Sequence, residues 1–204
     1  MAMPTRYLTI AGPSRYEPEK TKGSRFVADL AQATTEAQAE ALLEAVRSEF
    51  QGASHHCFAW ILDPEGRQTR NSDDGEPGGS AGAPIQRQLE GHGVTGLACV
   101  VTRWFGGTKL GVGGLIRAYG GAAGQALDRA KLLEVRVRRS LVLEFPYEAS
   151  GAIESVARSC EAEAASSDYG EAVRATYVVP LDRLEEFERE VIERTAGRAR
   201  LFTP

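Results

Sequence analysis

The chain has 204 residues, of which 42% are hydrophobic and 25% are charged, and its formal net charge is −4. This length is enough for one large domain or two small ones, each able to bury a core without crosslinks. The mild acidity excludes a generally basic nucleic-acid binder, so any anionic partner must meet a local basic patch.

The cysteines and the chain start bear on location. Cys57, Cys99 and Cys160 are far apart and show no metal-ligand spacing, which argues against a disulfide framework and predicts a reducing cytoplasm. The first residues lack the basic and apolar regions of a secretory signal, and no run of 18 apolar residues occurs. We therefore expect a cytoplasmic protein with no membrane span.

The N-terminal segment predicts an arm, a strand and a helix. Residues 1–24 contain prolines and glycines without a sustained period, so we expect an arm that leads to the first strand. Arg25–Ala33 alternates apolar and small residues, as a half-buried strand does. The helix that follows begins with a capping box at Thr35 and Gln38 and keeps its apolar residues at helical spacing up to Phe50.

The next segment predicts a hairpin, a loop and a buried strand. His55–Leu62 has strand composition, and a turn joins it to a short second strand at Arg67–Ser72. An acidic loop rich in glycine and proline, residues 72–84, leads to a short helix that begins near Pro84. Val94–Thr102 is almost continuously apolar, which indicates a strand buried on both faces.

The stretch Arg103–Tyr119 is the most informative part of the chain. A glycine loop, residues 105–111, follows the buried strand, and apolar residues at helical spacing from Val112 onward predict one long helix. Between Gly91 and Leu127 the chain carries eleven of its 22 glycines, three cations and no acidic residue. This local inversion of charge, in a chain that is acidic as a whole, indicates a functional surface.

The three cations of this stretch are Arg103, Lys109 and Arg117. Free N–H groups at a helix start favour an anion, and glycine lets a phosphate approach the backbone closely. The spacing GxxxxGK[ST] of a phosphate-binding P-loop is absent, and the GxGxxG at residues 91–96 precedes a strand rather than a helix. The alternative to a binding role is a tight connection whose cations pair with carboxylates.

The acidic loop offers a second candidate chemistry. Asp73, Asp74 and Glu76 could supply oxygen ligands for Mg²⁺ or a general base. Acidic residues beside glycine and proline are also ordinary turn formers, whose side chains bond to nearby backbone N–H groups. The turn interpretation is favoured, and we expect no metal site and no cofactor.

The strand before this loop contributes two histidines and a cysteine. His55 and His56 are adjacent, so their side chains point to opposite faces of the sheet and only one can face a site. Cys57 would lie on the same face as His55, but neither a third metal ligand nor a feature that would lower the pKa of the thiol is evident. A zinc site is therefore disfavoured, and a buried core thiol is favoured over a Cys–His nucleophile pair.

Residues 135–204 predict a second domain. The pattern gives strand, helix, strand, strand, helix and strand in about 70 residues, which is the split βαβ or ferredoxin-like order. We place the boundary at about residue 134, so that residues 1–134 form the first domain and its arm. A basic run at this junction, Arg136, Arg138 and Arg139, is typical of a solvated strand edge but could extend a nucleic-acid surface.

Four motifs occur in one order: KGSRF at residues 22–26, HHCFAW at 55–60, SDDGEPGGSAGAPI at 72–85 and VVTRWFGGTKLGVGGLIRAYGGA at 100–122. Together they resemble the YigZ/IMPACT family over residues 20–131, and Tyr169 and Gly170 fit an element of the smaller C-terminal domain of bacterial members. The resemblance implies an α+β protein. Its first domain would have the βαβ fold of a small-subunit ribosomal protein and of elongation factor G domain IV, and its second would be ferredoxin-like, similar to domain V.

The resemblance also implies a function class. Both relatives of the fold contact ribosomal RNA, so a role in translation or in the stress response is expected by fold analogy. Eukaryotic members engage a partner of a kinase through an additional N-terminal domain, whereas only about 24 residues precede the first predicted strand here. The same partner interaction is not expected.

The sequence therefore supports a non-enzymatic protein that binds RNA or a ribosome-associated surface. Its cations would meet phosphates, and its aromatic side chains would stack on bases. The expected face comprises Arg103, Lys109, Arg117, Trp104, Phe105, Gly106, Gly107, Gly111, Gly113, Tyr119, His55, Asp73, Asp74 and Glu76.

Two alternatives remain open at the level of sequence. An enzyme could hold a small phosphorylated or carboxylated metabolite with the loop cations, while the acidic loop and His55 perform acid–base chemistry. A regulator could instead bind a protein partner through an exposed sheet of the second domain, with no chemistry in the loops.

Overall fold

The computed structural model describes residues 3–202, which fall into two compact units divided between Val135 and Arg136. The units are α+β, as predicted. Among the described residues, no helix is both long and apolar enough to cross a membrane.

The first unit contains seven strands and three helices within the described range. In chain order they are β1 (Arg6–Ile10), β2 (Ser14–Tyr16), β3 (Arg25–Gln32), α1 (Glu36–Glu49), β4 (His55–Ile61), β5 (Thr69–Ser72), α2 (Gly82–Gly91), β6 (Leu97–Trp104), α3 (Val112–Arg129) and β7 (Leu132–Arg136). The capping box of Thr35 and Gln38 is confirmed at the start of α1.

A five-stranded antiparallel sheet in the order β2-β3-β6-β4-β5 forms the centre of this unit. The predicted hairpin is confirmed as β4 and β5, and the predicted buried strand is the central β6. One face of the sheet packs against α1 and the other against α2 and α3. A strand covered on both faces carries apolar residues on both, which is why residues 97–101 of β6 show no alternation.

The arm expected at residues 1–24 is wrong for two of its segments. β1 pairs with β7 in a separate two-stranded sheet, and β2 pairs with β3 at an edge of the central sheet. Strands of three and five residues are too short to show a period, and their partners are selected by tertiary contact. Residues 1 and 2 of the expected arm lie outside the described range.

The second unit has the predicted β-α-β-β-α-β order. Its elements are β8 (Arg138–Phe145), α4 (Ser150–Ser159), β9 (Glu163–Tyr169), β10 (Val173–Pro180), α5 (Leu184–Arg194) and β11 (Arg200–Phe202). The strands form an antiparallel sheet in the order β11-β8-β10-β9, and the helices cover one face of it around Leu143, Ile153 and Phe187. Arg136 pairs with Glu161 and Asp182, and Arg138 pairs with Glu163, so much of the basic run at the junction is neutralised.

Candidate functional site

The acidic loop and the glycine loop meet around one buried carboxylate, that of Glu76. Its side chain is only 5% exposed. Its Oε1 accepts hydrogen bonds from Arg103 Nη1 at 2.6 Å and from the Tyr119 hydroxyl at 2.7 Å, and His55 Nε2 lies 3.8 Å away. For Arg103, this buried ion pair is the alternative to a binding role, in which a cation pairs with a carboxylate.

Arg103 reaches this position because it is the penultimate residue of β6, opposite His55 of β4 and Phe26 of β3. Its side chain is 6% exposed, and its Nη2 donates to Ser24 Oγ at 3.2 Å. The expectation that Arg103 meets phosphate is therefore wrong for this conformation, because its charge is buried against Glu76.

Tyr119 is also part of the core rather than of the surface. Its ring is fully buried and meets Phe26 edge to face, with 5.2 Å between the ring centroids. Burial raises the pKa of its phenol well above the ordinary range, and the nearby Cys57 and Glu76 add to the shift. The expectation that Tyr119 stacks on a base is wrong, since no face of its ring is accessible.

Ser24 is a residue that the sequence interpretation missed. It is fully buried, and its Oγ accepts from both Arg103 and the backbone N–H of Gly106, each at 3.2 Å. Its neighbour Gly23 packs against Gly106 so closely that a Cβ on Gly106 would overlap the backbone of Gly23 and Ser24. The KGSRF motif could have indicated this contact, because it places Gly23, which allows close approach of another backbone, beside the small polar residue Ser24.

Asp73 fixes the start of α2. Its carboxylate accepts the backbone N–H groups of Gly79, Ala81 and Gly82 at 2.7 to 2.9 Å. Burial acts to raise the pKa of this carboxyl, but the three N–H donors together outweigh it and the pKa is lowered. Asp73 therefore does the work of a turn residue, the interpretation that the sequence favoured.

Asp74 likewise holds the backbone rather than a ligand. Its Oδ2 accepts the N–H of His56 at 2.6 Å, and its Oδ1 lies 3.3 Å from Arg47 Nη2. With Asp73 and Asp74 directed at different partners, the acidic loop offers no shared carboxylate centre. Within residues 3–202, no three His, Cys, Asp or Glu side chains are grouped so that they could hold a metal ion.

His55 and His56 lie on opposite faces of β4, as predicted. His55 is partly exposed, and its Nδ1 lies 2.8 Å from the carbonyl oxygen of Asp74, so this nitrogen carries the proton. His56 is on the α1 side, and burial lowers its pKa. Only His55 takes part in the two-loop site.

Cys57 lies on the same side of β4 as His55 but is fully buried. Its Sγ donates to the Asp73 carbonyl at 3.1 Å, and burial raises the pKa of the thiol to about 12. A thiol that stays protonated is a poor nucleophile. The structure therefore favours the core role over a Cys–His pair.

Another part of the site faces outward. Lys109 and Arg117 are exposed, and no contact within the described chain pairs either cation with a carboxylate. The ring of Phe105 is 50% exposed and lies near Lys109. Trp104 is less available, because it packs edge to face on Phe50 and carries the Arg25 guanidinium 4.3 Å from its ring centroid.

The glycine loop keeps this outer surface open. Gly107 and Gly111 have φ angles of 85° and 72°, a left-handed region that favours glycine, and a Cβ on either would meet no atom within 4 Å. Gly111 is the N-cap of α3 and supplies no side-chain cap, and Gly113 follows in the first turn. The start of α3 therefore presents backbone N–H groups to the surface.

A pocket of 340 Å³ connects the buried pair with this outer surface. Glu76 and Arg103 line it together with Phe105, Lys109 and the first turn of α3. Leu110, Val112, Leu115 and Pro77 complete the walls, and the sequence interpretation assigned none of these four to the site. Apolar residues at helical spacing predict a position in the core. The glycine loop leaves the first turn of α3 uncovered, so apolar residues there also line the pocket.

The protein therefore belongs to the class of two-unit α+β proteins, and its first unit carries the two-loop site. The first unit matches the family model described as the Impact N-terminal domain over residues 22–127, and the second matches a domain of unknown function (DUF1949) over residues 143–198. The chain belongs to the IMPACT family, which confirms the resemblance found in its motifs.

Relatives of similar length support this assignment. The IMPACT family member YigZ of Escherichia coli is 36% identical over 186 residues, which cover 90% of this chain and 91% of the relative. The IMPACT family member YvyE of Bacillus subtilis is 31% identical, with 95% and 88% covered. A crystal structure of a hypothetical protein is 34% identical, has a TM-score of 0.78 and covers 98% of both chains.

Proposed function

We propose that this protein is a non-enzymatic binder of single-stranded RNA or of a ribosome-associated RNA surface, and that it acts in translation or its regulation under stress. The observation that carries the proposal is the outer part of the two-loop site. There Lys109 and the half-exposed ring of Phe105 line one pocket, and Arg117 is exposed on α3 near Gly113 of its first turn; neither cation is paired among the described residues. Cations along a backbone path with an aromatic platform beside them are what single-stranded nucleic acid requires.

The neighbouring segment borders the same face. Gly23 touches Gly106 of the glycine loop, and Arg117 lines a hollow shared with residues 16–21. Lys20 and Lys22 are exposed on this segment. Glu17 and Glu19 lie on the same segment, and Glu17 pairs with Arg25, so the positive charge of the face comes mainly from Lys109 and Arg117.

Membership of the IMPACT family supports the link to translation. The proposal assigns the two units to the types of elongation factor G domains IV and V, whose relatives contact ribosomal RNA. The β-α-β-β-α-β order of the second unit and its antiparallel sheet are compatible with the ferredoxin-like type. The fold analogy supports RNA as the class of partner. The cations and the Phe105 ring of the first unit support contact with phosphates and bases.

The enzyme alternative loses most of its acid–base groups. Asp73 and Asp74 hold backbone N–H groups, and the Cys57 thiol is protonated at neutral pH. Glu76 and His55 remain, but Glu76 is bound to Arg103 and Tyr119. Non-enzymatic binding is therefore the function that this geometry supports best.

The test is RNA binding measured by fluorescence anisotropy at several salt concentrations. We expect the affinity to fall with salt, with a log–log slope of roughly −0.7 for each phosphate that is neutralised. The double variant Lys109→Ala plus Arg117→Ala should weaken binding and make the slope shallower by roughly 1.4, because two such contacts are removed. Arg87→Ala plus Lys131→Ala is the matched control, since it removes two exposed cations outside both loops.

Two results would overturn the proposal: an affinity for RNA that does not depend on salt, or equal binding by the loop variant and its control. Pulldown from native lysate, with and without nuclease, separates RNA from a protein partner. Partners that are lost after nuclease treatment support the proposal, whereas partners that survive it support a protein-binding regulator.

A further inference from the structure

The pocket between the two loops has the build of a ligand site. Its volume of 340 Å³ falls within the range typical of small-molecule sites. Its walls are apolar, and its two ends are polar: Glu76 lies at the buried end and Lys109 at the exposed end. Such a pocket suits a flat, largely apolar body with a hydrogen-bond donor at one end and an anion at the other.

The buried end has an unused acceptor. All three polar neighbours of Glu76, which are Arg103, Tyr119 and His55, approach its Oε1. Among the described residues, none donates to Oε2, although the side chain is only 5% exposed and lines the pocket. Oε2 is not one of the fully buried polar atoms that lack a partner, so it remains accessible from the pocket, where the donor of a ligand can reach it. Because Arg103 balances the charge of Glu76, the donor can be a neutral group.

The exposed end favours an anion. α3 is 18 residues long, and its N-cap Gly111 makes no side-chain hydrogen bond to the first turn. The N–H groups of that turn and the ammonium of Lys109 border the same pocket, so the helix dipole and a full positive charge act together.

We infer that this pocket holds one guanosine 5′-nucleotide, with its base against Phe105, its donor edge at Glu76 Oε2 and its phosphate at the start of α3 and Lys109. Guanine presents two adjacent donors, N1–H and the N2 amino group. Adenine and cytosine place an acceptor nitrogen beside their amino group, and uracil flanks its single N–H with two carbonyl oxygens, so each would direct an acceptor at the carboxylate. The inference rests on the proposed function, because it places one nucleotide of the bound RNA.

The test compares a short oligouridine with the same oligomer carrying one central guanosine, and also measures free guanosine 5′-monophosphate. We expect the guanosine oligomer to bind roughly tenfold more tightly, since a hydrogen bond to a charged carboxylate has an effect of this order, whereas stacking is available to every base. Methylation of guanine N1 should abolish this preference without any change to the protein. Phe105→Ala should also abolish it, whereas Phe202→Ala, which removes another exposed phenylalanine, should leave it intact.

The outcomes separate this inference from the proposed function. If both oligomers bind equally and Phe105→Ala has no effect, the guanosine pocket is wrong, while the proposed function stands on its Lys109 and Arg117 result. If free guanosine monophosphate binds and neither oligomer does, the pocket is supported and the RNA function is overturned. If no guanosine ligand binds, in RNA or free, the pocket inference is wrong.

Discussion

Two parts of the stretch Arg103–Tyr119 use the same residue types in opposite ways. Arg103 lies on the central strand β6, where its charge is buried and paired with Glu76. Lys109 and Arg117 lie on the glycine loop and on the outer face of α3, where both are exposed. A cation on a strand that is covered on both faces is buried and stabilises the fold. A cation on a loop or on an exposed helix face remains accessible to a ligand.

The same division applies to the aromatic residues. Tyr119 is fully buried and donates to Glu76, while Phe105 is 50% exposed and stands beside the pocket. The inner part therefore fixes the two loops, and the outer part carries the binding surface. Substitutions in the two parts should separate stability from affinity.

The largest effect is expected from Glu76→Gln. This change leaves the guanidinium of Arg103 buried without a counter-charge, which costs about 3 to 5 kcal/mol when a buried pair is broken. The measurement is the free energy of unfolding in urea. Glu134→Gln is the control, because its partner Arg6 and Glu134 itself are about half exposed, at 54% and 52%, and such pairs contribute about 1 kcal/mol or less. Equal effects of the two changes would contradict the role assigned to the inner part.

The next effect concerns the contact that joins the glycine loop to residues 23–24. Gly106→Ala places a methyl group where the backbone of Gly23 and Ser24 lies, so we expect a loss of about 2 to 3 kcal/mol. Gly107→Ala is the matched control, since its Cβ meets no atom and only its φ of 85° opposes the change, at about 1 kcal/mol. Thermal unfolding of both variants measures the difference. A smaller loss for Gly106 than for Gly107 would show that the close contact does not form.

Much of the fold could be predicted from the sequence. The features that could not be predicted depend on contacts between residues that are distant in the chain. The periods of α1 and α3, the hairpin and the doubly covered β6 are local signals and are confirmed. The pairing of β1 with β7 is not local and was missed. The pairing of Glu76 with Arg103 joins residues 27 positions apart, and no motif indicates which of three cations will be buried.

An intermediate effect that depends on pH is expected from Asp73→Asn. The pKa of Asp73 is lowered in the folded state, so this carboxylate adds stability at pH values above its unfolded pKa of about 3.9 and loses it as the pH falls toward the folded value. We expect the variant to be less stable by about 1 to 2 kcal/mol at neutral pH, with a difference that shrinks below about pH 4. Urea unfolding across this pH range checks it. Asp168→Asn, at an exposed position, is the control and should change the free energy of unfolding at neutral pH by no more than about 0.5 kcal/mol.

The smallest effect on stability, and the sharpest test of the comparison, is expected from Lys109→Ala plus Arg117→Ala. Neither side chain is buried or paired within the described chain, so the free energy of unfolding should change by no more than about 0.5 kcal/mol for each substitution. The same double variant should lose RNA affinity, whereas Glu76→Gln, if it remains folded, should bind with an unchanged salt slope because it removes no exposed cation. The free energy of unfolding and the RNA affinity, measured on the same samples, test both expectations. If the double variant were destabilised as strongly as Glu76→Gln, the two exposed cations would belong to the fold and the division of this stretch into an inner and an outer part would be wrong.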